Sequence, residues 1–262
     1  MVLRRQIFVP LLLLTVVAWS CAGQLTSQGR QLLQNGYTAS AAGDNKAVIS
    51  ATDSFLRDWP RGDHSDEAYY LRGLAKYNMG NRDGAQADLA EALNRAKSKE
   101  VRAKASLALG DLAWDREDIP SAEGFYLKAT DNLNRGERPV DHAYYRLGCV
   151  LQRLGRWEEA DRQFSLLVEQ FSGSELAALG GRRMHARDWT IQAGAFERKS
   201  RAEAVAKELQ SRGQTASIQP VASDKRMVFV VQAGHYPTYE QAMEVLPGVK
   251  AIKSEAFVIT TR

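Results

Sequence analysis

The chain has 262 residues, 44% of them hydrophobic and 25% charged, a balance that fits two modest globular domains and excludes bulk disorder. Its formal charge of +4 is unevenly spread: residues 182–262 hold 13 Lys and Arg against 8 Asp and Glu, whereas residues 23–181 hold 20 against 23. In an exported protein a basic C-terminal part favours anionic envelope polymers or lipid headgroups over nucleic acid.

Export is indicated by the first stretch. Arg4 and Arg5 precede an apolar run, Ile7 to Ala18, which is too short for a comfortable membrane span and has the form of a signal peptide over residues 1–20. Cys21 follows Ala18-Trp19-Ser20, at the place where bacterial lipoproteins carry the cysteine that receives diacylglycerol. That resemblance implies a lipid attached at Cys21, and Ala22 in the next position implies the outer membrane; an ordinary cleaved signal peptide is the alternative. The other cysteine, Cys149, lies on an apolar helical face, so the mature chain is expected to hold a buried free thiol and no intramolecular disulfide. Residues 21–30 read as a tether.

A repeated pattern follows. Gly73, Gly110 and Gly148 are each followed twelve residues later by Ala85, Ala122 and Ala160, and four residues further by Leu89, Tyr126 and Phe164. Small residues on two antiparallel helices let them approach closely, and a large apolar residue one turn on fills the groove. Turn signals separate the paired helices at Met79-Gly80-Asn81, Glu117-Asp118 and Leu154-Gly155-Arg156. The linker Asn134 to Pro139 makes the units long.

The pattern resembles the tetratricopeptide repeat in three units, Asp66 to Asn94, Lys104 to Asn132 and Asp141 to Ser172, with a degenerate unit from Gln31 to Pro60 before them. The run Ala68-Tyr69-Tyr70-Leu71-Arg72-Gly73 looks like the signature of envelope lipoproteins with such repeats. The resemblance implies a surface for an unidentified protein partner. Tyr69, Tyr70, Tyr77, Tyr144 and Tyr145 are expected mostly to pack the core and the joints between units, because a stacked array buries one face of each helix. A capping helix should begin at Ser174 and break at Gly180-Gly181, which places the domain boundary there.

Beyond it the same phrase occurs twice. Trp189 to Phe196 contains Gln192-Ala193-Gly194, Val228 to Tyr236 contains Gln232-Ala233-Gly234, and each run is followed by a helical stretch, Ser200 to Ser211 and Thr238 to Leu246. Further strands are expected at Thr215 to Gln219 and Ala256 to Thr260. Two helices can cover only one face of a four-stranded sheet. Trp189, Ile191, Ala193, Phe229, Val231 and Ala233 share the face expected to form the core. Thr190, Gln192, Val228, Val230 and Gln232 share the face expected to stay open as a platform for an extended ligand.

The paired Gln-Ala-Gly runs resemble the SPOR domain, a family that binds peptidoglycan glycan strands stripped of stem peptides. The resemblance places Gln192 at an exposed glutamine position, Ala195 at a position where small hydroxyl residues are frequent, and Val230 where an arginine is common. Arg226, Lys225 and Gln232 are then candidates to compensate for the missing guanidinium. The glycan-binding set this implies is Thr190, Gln192, Ala195, Arg226, Val228, Val230 and Gln232.

No catalytic constellation is visible. His64, His142, His185 and His235 have no metal-ligand spacing, Glu158-Glu159 sits on a repeat helix, and no nucleophile elbow or phosphate loop occurs. Neither a metal nor a cofactor is expected. The sequence therefore predicts an α plus α/β chain: signal peptide 1–20, tether 21–30, tetratricopeptide-like helical solenoid 31–181, linker 182–187, and a small split βαβ domain of βαββαβ order over 188–262. The implied function is a non-enzymatic periplasmic adaptor in cell division or wall remodelling, lipid-anchored and bound to glycan strands and a protein partner. The alternative is an envelope assembly scaffold whose two domains both bind proteins.

Overall fold

The computed structural model describes residues 25–132, 138–223 and 226–261. The expected signal peptide, Cys21, the linker residues 133–137 and Lys225 lie outside the described residues. Nine helices come first among those described: α1 (Ser27–Ala41), α2 (Asn45–Asp58), α3 (Ser65–Asn78), α4 (Arg82–Arg95), α5 (Lys99–Asp115), α6 (Ile119–Asn132), α7 (Val140–Arg153), α8 (Trp157–Gln170) and α9 (Glu175–Arg183). A mixed unit follows: β1 (Trp189–Phe196), α10 (Lys199–Ser211), β2 (Ala216–Ser223), β3 (Arg226–Tyr236), α11 (Tyr239–Lys250) and β4 (Phe257–Thr260).

Local chemistry sets the helix ends. Side-chain oxygens of Thr26, Asp44, Asn81, Ser98 and Ser174 accept from backbone N–H groups three residues on, satisfying donors that a helix start leaves free. The turns between paired helices fall at Gly80 and Gly155, as their sequence signals predicted, with left-handed φ of 80° and 74°. Glu117 occupies the same position in the third unit at φ 59°.

The helices pair as α1/α2, α3/α4, α5/α6 and α7/α8, with α9 capping the stack. The spacing that marks the repeats is a packing device. A Cβ added at Gly73 would stand 2.8 Å from Leu89, one at Gly110 2.6 Å from Tyr126, and one at Gly148 2.5 Å from Phe164. Ala85, Ala122 and Ala160 are fully buried beside them. The degenerate first unit obeys the same offsets with Gly36, Val48 and Thr52, the last two buried. Its first helix starts at Ser27, inside the stretch expected to be tether, because Thr26 caps it.

The tyrosines behave as packing residues. Tyr144 is buried, Tyr70 lies between the first two core clusters, Tyr77 donates to Asp115 at 2.9 Å across units, and Tyr145 tilts against Phe164 with centroids 6.2 Å apart. Asp88, 5% exposed, takes two hydrogen bonds from Arg72 and an ion pair from Lys76, while Arg72 also reaches Asp53. That network ties α2, α3 and α4 together. Cys149 is a buried free thiol, and burial pushes its pKa up.

One sequence expectation is corrected here. Gly180-Gly181 does not break the capping helix, since α9 continues to Arg183. Gly180 faces α8, where a Cβ would stand 3.0 Å from Leu167 and 3.1 Å from Phe164, so the glycine serves close helix contact and not termination.

In the second unit four antiparallel strands form a sheet of order β2-β3-β1-β4. α10 and α11 cover one face, packing Ala202, Val205, Leu209, Leu246 and Val249 on Ile191, Ala193, Val231 and Ala233. Trp189 departs from its expected place in this core. It is 5% exposed, but its ring lies 5.8 Å from Trp157 of α8 and 5.1 Å from Tyr239, and its Nε1 donates to the Gln152 carbonyl at 3.1 Å. Arg153 stacks over Tyr239 at 4.4 Å and bonds Glu240 at 3.3 Å. Buried Gln152 exchanges two 2.8 Å hydrogen bonds with Arg183. Trp189 therefore serves the joint between the units, because the first residue of β1 projects past the helices that cover the sheet.

Candidate functional site

Both Gln-Ala-Gly runs lie inside strands, the first in β1 and the second in β3. The β1–β3 register shifts once between Gln192 and Gly194, where Ala193 and Gly194 together oppose Val231. It shifts again between Trp189 and Ile191, where β3 carries the extra residue beside Gly234. Each run is therefore a β-bulge. In both copies the aromatic two residues on, Phe196 or Tyr236, folds back over the glycine of its own strand, and both rings pack on the domain core. Gly234 adopts φ 70°, and a Cβ there would collide with the Tyr236 ring. Gly234→Ala is expected to cost about 2 kcal/mol from the left-handed backbone and the clash. Amide exchange of β1 and β3 should speed up accordingly; unchanged protection would refute the role assigned to the bulge.

Thr190 is explained by the same bulge. It is fully buried, and its Oγ1 donates to the carbonyls of Gly234 at 2.7 Å and Ala233 at 3.3 Å, acceptors beside the irregular pairing. The expectation that it stands open to solvent is corrected: the hydroxyl holds the strand irregularity.

The open face is organised in rows by the register. Phe257, Gln192, Gln232 and Ser217 are successive partners across β4, β1, β3 and β2, a row spanning roughly 14 Å at the usual strand spacing. The next row is Ala195, Val230 and Gln219, followed by Val228 with Val221. Phe257 is 50% exposed, Ala195, Ser217 and Gln219 are exposed, and Gln192 is half-buried. Val230 and Gln232 are 9% and 8% exposed, contrary to the open position expected of them. They lie on a central strand with neighbours on both sides, so they form the floor of the face and do not project from it. Gln232 Oε1 is buried without a hydrogen-bond partner.

Charge is confined to the margin. Beyond the rows the face continues into Arg226 on β3 and Glu197 just after β1, and these two pair at 3.0 Å. On the helical side Lys199, Arg201, Lys207 and Lys250 of α10 and α11 are balanced by Glu203, Glu208, Glu240 and Glu244, and at the turn from β1 to α10 Arg198 and Arg201 line a cleft with Ala195, Phe196 and Glu197. Of the basic residues counted in the excess read from the sequence, Arg182, Arg183 and Arg187 precede the sheet, and Arg198 and Arg201 reach the open face at its Ala195 edge. Among the described residues no group of three or more His, Cys, Asp or Glu could hold a metal ion, and no helix is long and apolar enough to cross a membrane.

The structure brings together Gln192, Ala195, Val228, Val230 and Gln232 of the predicted set, leaves Arg226 at the rim and turns Thr190 to a structural task. Sequence reasoning missed Phe257, Ser217 and Gln219. The signal for Phe257 was present, since Ala256 and Val258 alternate into the core around it.

Comparison with known proteins agrees with this architecture. Residues 186–260 match the SPOR domain, and residues 66–99 and 142–174 each match a tetratricopeptide repeat. The chain thus contains tetratricopeptide repeats followed by a C-terminal SPOR domain. SPOR domains are a peptidoglycan-binding family of the bacterial envelope, tetratricopeptide repeats are protein-interaction modules, and both are typically non-catalytic. No curated protein matches the sequence. Among solved structures, a tetratricopeptide repeat protein from Parabacteroides merdae ATCC 43184 shares 16% identity over 60% of this chain with a TM-score of 0.50. The match spans 59% of that protein's length and shows the helical fold alone. MamA protein aligns at 19% identity over 60% of this chain and 82% of its own, TM-score 0.47. MamA from Desulfovibrio magneticus RS-1 aligns at 12% over 61% and 93%, TM-score 0.48.

Proposed function

We propose that the chain is a non-enzymatic adaptor of the cell envelope, acting in division or wall remodelling. Its SPOR domain binds glycan strands stripped of peptides, and its repeats hold a protein partner. The signal segment exports it, and a lipid on Cys21 anchors it in the periplasm to the outer membrane. The observation that carries the reading is the row Phe257, Gln192, Gln232 and Ser217 on a sheet face that no helix among the described residues covers. An exposed aromatic offers a surface on which a sugar ring can lie, and amides and a hydroxyl supply both donors and acceptors to hydroxyl and acetamido groups. Ala195, Val228 and Val230 keep the floor low, so that an extended chain lies along it, and Arg226 marks one end.

The test is co-sedimentation of the full mature chain with sacculi before and after amidase treatment. Binding should require the treatment, and Phe257→Ala should weaken it about tenfold, equivalent to ~1.4 kcal/mol. Phe257 is half exposed and outside the core cluster, so its loss should leave the fold intact. A chain that ignores treated sacculi yet crosslinks to envelope proteins through both domains is instead the assembly scaffold. Radiolabelled palmitate that fails to incorporate, or incorporates equally in Cys21→Ser, would remove the lipid anchor from the proposal.

A further inference from the structure

The proposed glycan face leaves open which parts of a stripped strand it grips. Hydrolysis of the amide between a stem peptide and the sugar's lactyl group breaks the C–N bond. It leaves a carboxylic acid on the glycan and an amine on the peptide. With a pKa near that of an α-carboxyl, about 3.5, that acid is ionised at neutral pH. A stripped strand is therefore an alternation of uncharged N-acetylhexosamines and carboxylate-bearing sugars.

Resting on the glycan-binding reading, we propose that the open sheet face selects uncharged N-acetylated sugar and turns the carboxylates away, so that neutralising them strengthens binding. The floor is Val230, Val228 and Ala195, bounded by Gln192, Gln232, Ser217, Gln219, Val221 and Phe257, with no charged side chain among these residues. Arg226, at the margin, is already paired with Glu197. A carboxylate pressed onto the Val228 and Val230 part of this floor would lose water and gain no counter-charge, since Arg198 and Arg201 meet the face only at its Ala195 edge, beside Glu197.

The second observation concerns hydrogen-bond sense. Gln232 Oε1 is a buried acceptor with no partner, at the centre of the first row. Once the terminal amide, whose torsion is soft, turns toward the ligand, the acetamido N–H or a hydroxyl of a neutral sugar can satisfy that oxygen, whereas a carboxylate, being acceptor-only, can meet only the amide's N–H and leaves Oε1 without a donor. The helices across the sheet supply no surplus charge either, since Lys199, Arg201, Lys207 and Lys250 of α10 and α11 are balanced by Glu203, Glu208, Glu240 and Glu244.

The test is calorimetry of the full mature chain with three probes. These are an N-acetylglucosamine hexamer, amidase-stripped glycan strands, and the same strands after their carboxyls are reduced to alcohols. The hexamer should bind, and the reduced strands should bind at least about threefold more tightly than the unreduced. Affinity of the native chain for the hexamer should change less than about twofold between about 50 and about 300 mM salt. Val230→Arg should reverse the preference and make binding of unreduced strands fall about tenfold over that range. Unreduced strands that bind, but lose affinity on reduction, would overturn this inference and leave the glycan reading standing. If none of the probes binds, the glycan reading fails and the inference fails with it.

Discussion

Replacing Phe164 by Ala is expected to destabilise the helical array by about 3–5 kcal/mol, the range for removing a fully buried aromatic. Phe164, on α8, is 0% exposed and its ring is wedged against two other helices, α7 and α9. It lies against the bare backbone of Gly148 in α7, beside Tyr145, and under Gly180 of the capping helix. Because two of these neighbours are glycines, no side chain there can swing in to fill the void, so the cavity should persist. For a unit of this size a loss of that order lowers the melting temperature by roughly 10 °C, readable as helical ellipticity on heating. Leu127→Ala is the control: that side chain is 42% exposed, and its loss should cost under about 0.5 kcal/mol. Equal shifts in the two variants would mean that the Gly-to-aromatic wedge does not organise the stack.

The wedge is also the feature most legible from sequence, for a physical reason. Two helices joined by a short turn have only one way to approach closely, so the offsets between Gly148, Ala160 and Phe164 are fixed by helix geometry alone and recur wherever the pair recurs. The same reasoning located the core face of the sheet, because alternation along Ile191 and Ala193 or Val231 and Ala233 needs no knowledge of neighbours. What failed were features set by pairing between distant segments. The bulges at Gly194 and Gly234 appear only when β1 is laid against β3, and with them the burial of Thr190. Gln232 reads as an exposed strand residue until β1 and β2 are placed on either side of it. Gly180-Gly181 looked like a helix breaker because sequence does not show that α8 approaches from the side.

Trp189→Ala should separate the two domains while leaving both folded. The SPOR core cluster closes without Trp189, being built from Ile191, Val231, Leu209, Val249 and their neighbours. The indole instead contacts Trp157 and Tyr239 and donates to the Gln152 carbonyl, so its removal falls on the joint. Loss of a buried Trp costs about 3–5 kcal/mol, of the order of what holds a small interface between domains of one chain. The remaining ties include Arg153, 14% exposed, which stacks on Tyr239 and pairs with Glu240, 56% exposed, an ion pair worth at most about 1 kcal/mol, and the approach of the Gly155 turn to the Pro237 carbonyl. Nitrogen-15 relaxation is the direct readout. In the native chain amides of α10 and α5 should report one rotational correlation time, and in the variant the SPOR amides should tumble faster, with far-UV ellipticity unchanged. Arg153→Ala should produce only a partial effect. A single correlation time in Trp189→Ala would show that the joint does not depend on the indole. The distinction bears on the adaptor itself: with the joint closed, a partner on the repeats is held at a fixed orientation to the glycan face, and with it open only the five-residue connection from Met184 to Asp188 limits their separation.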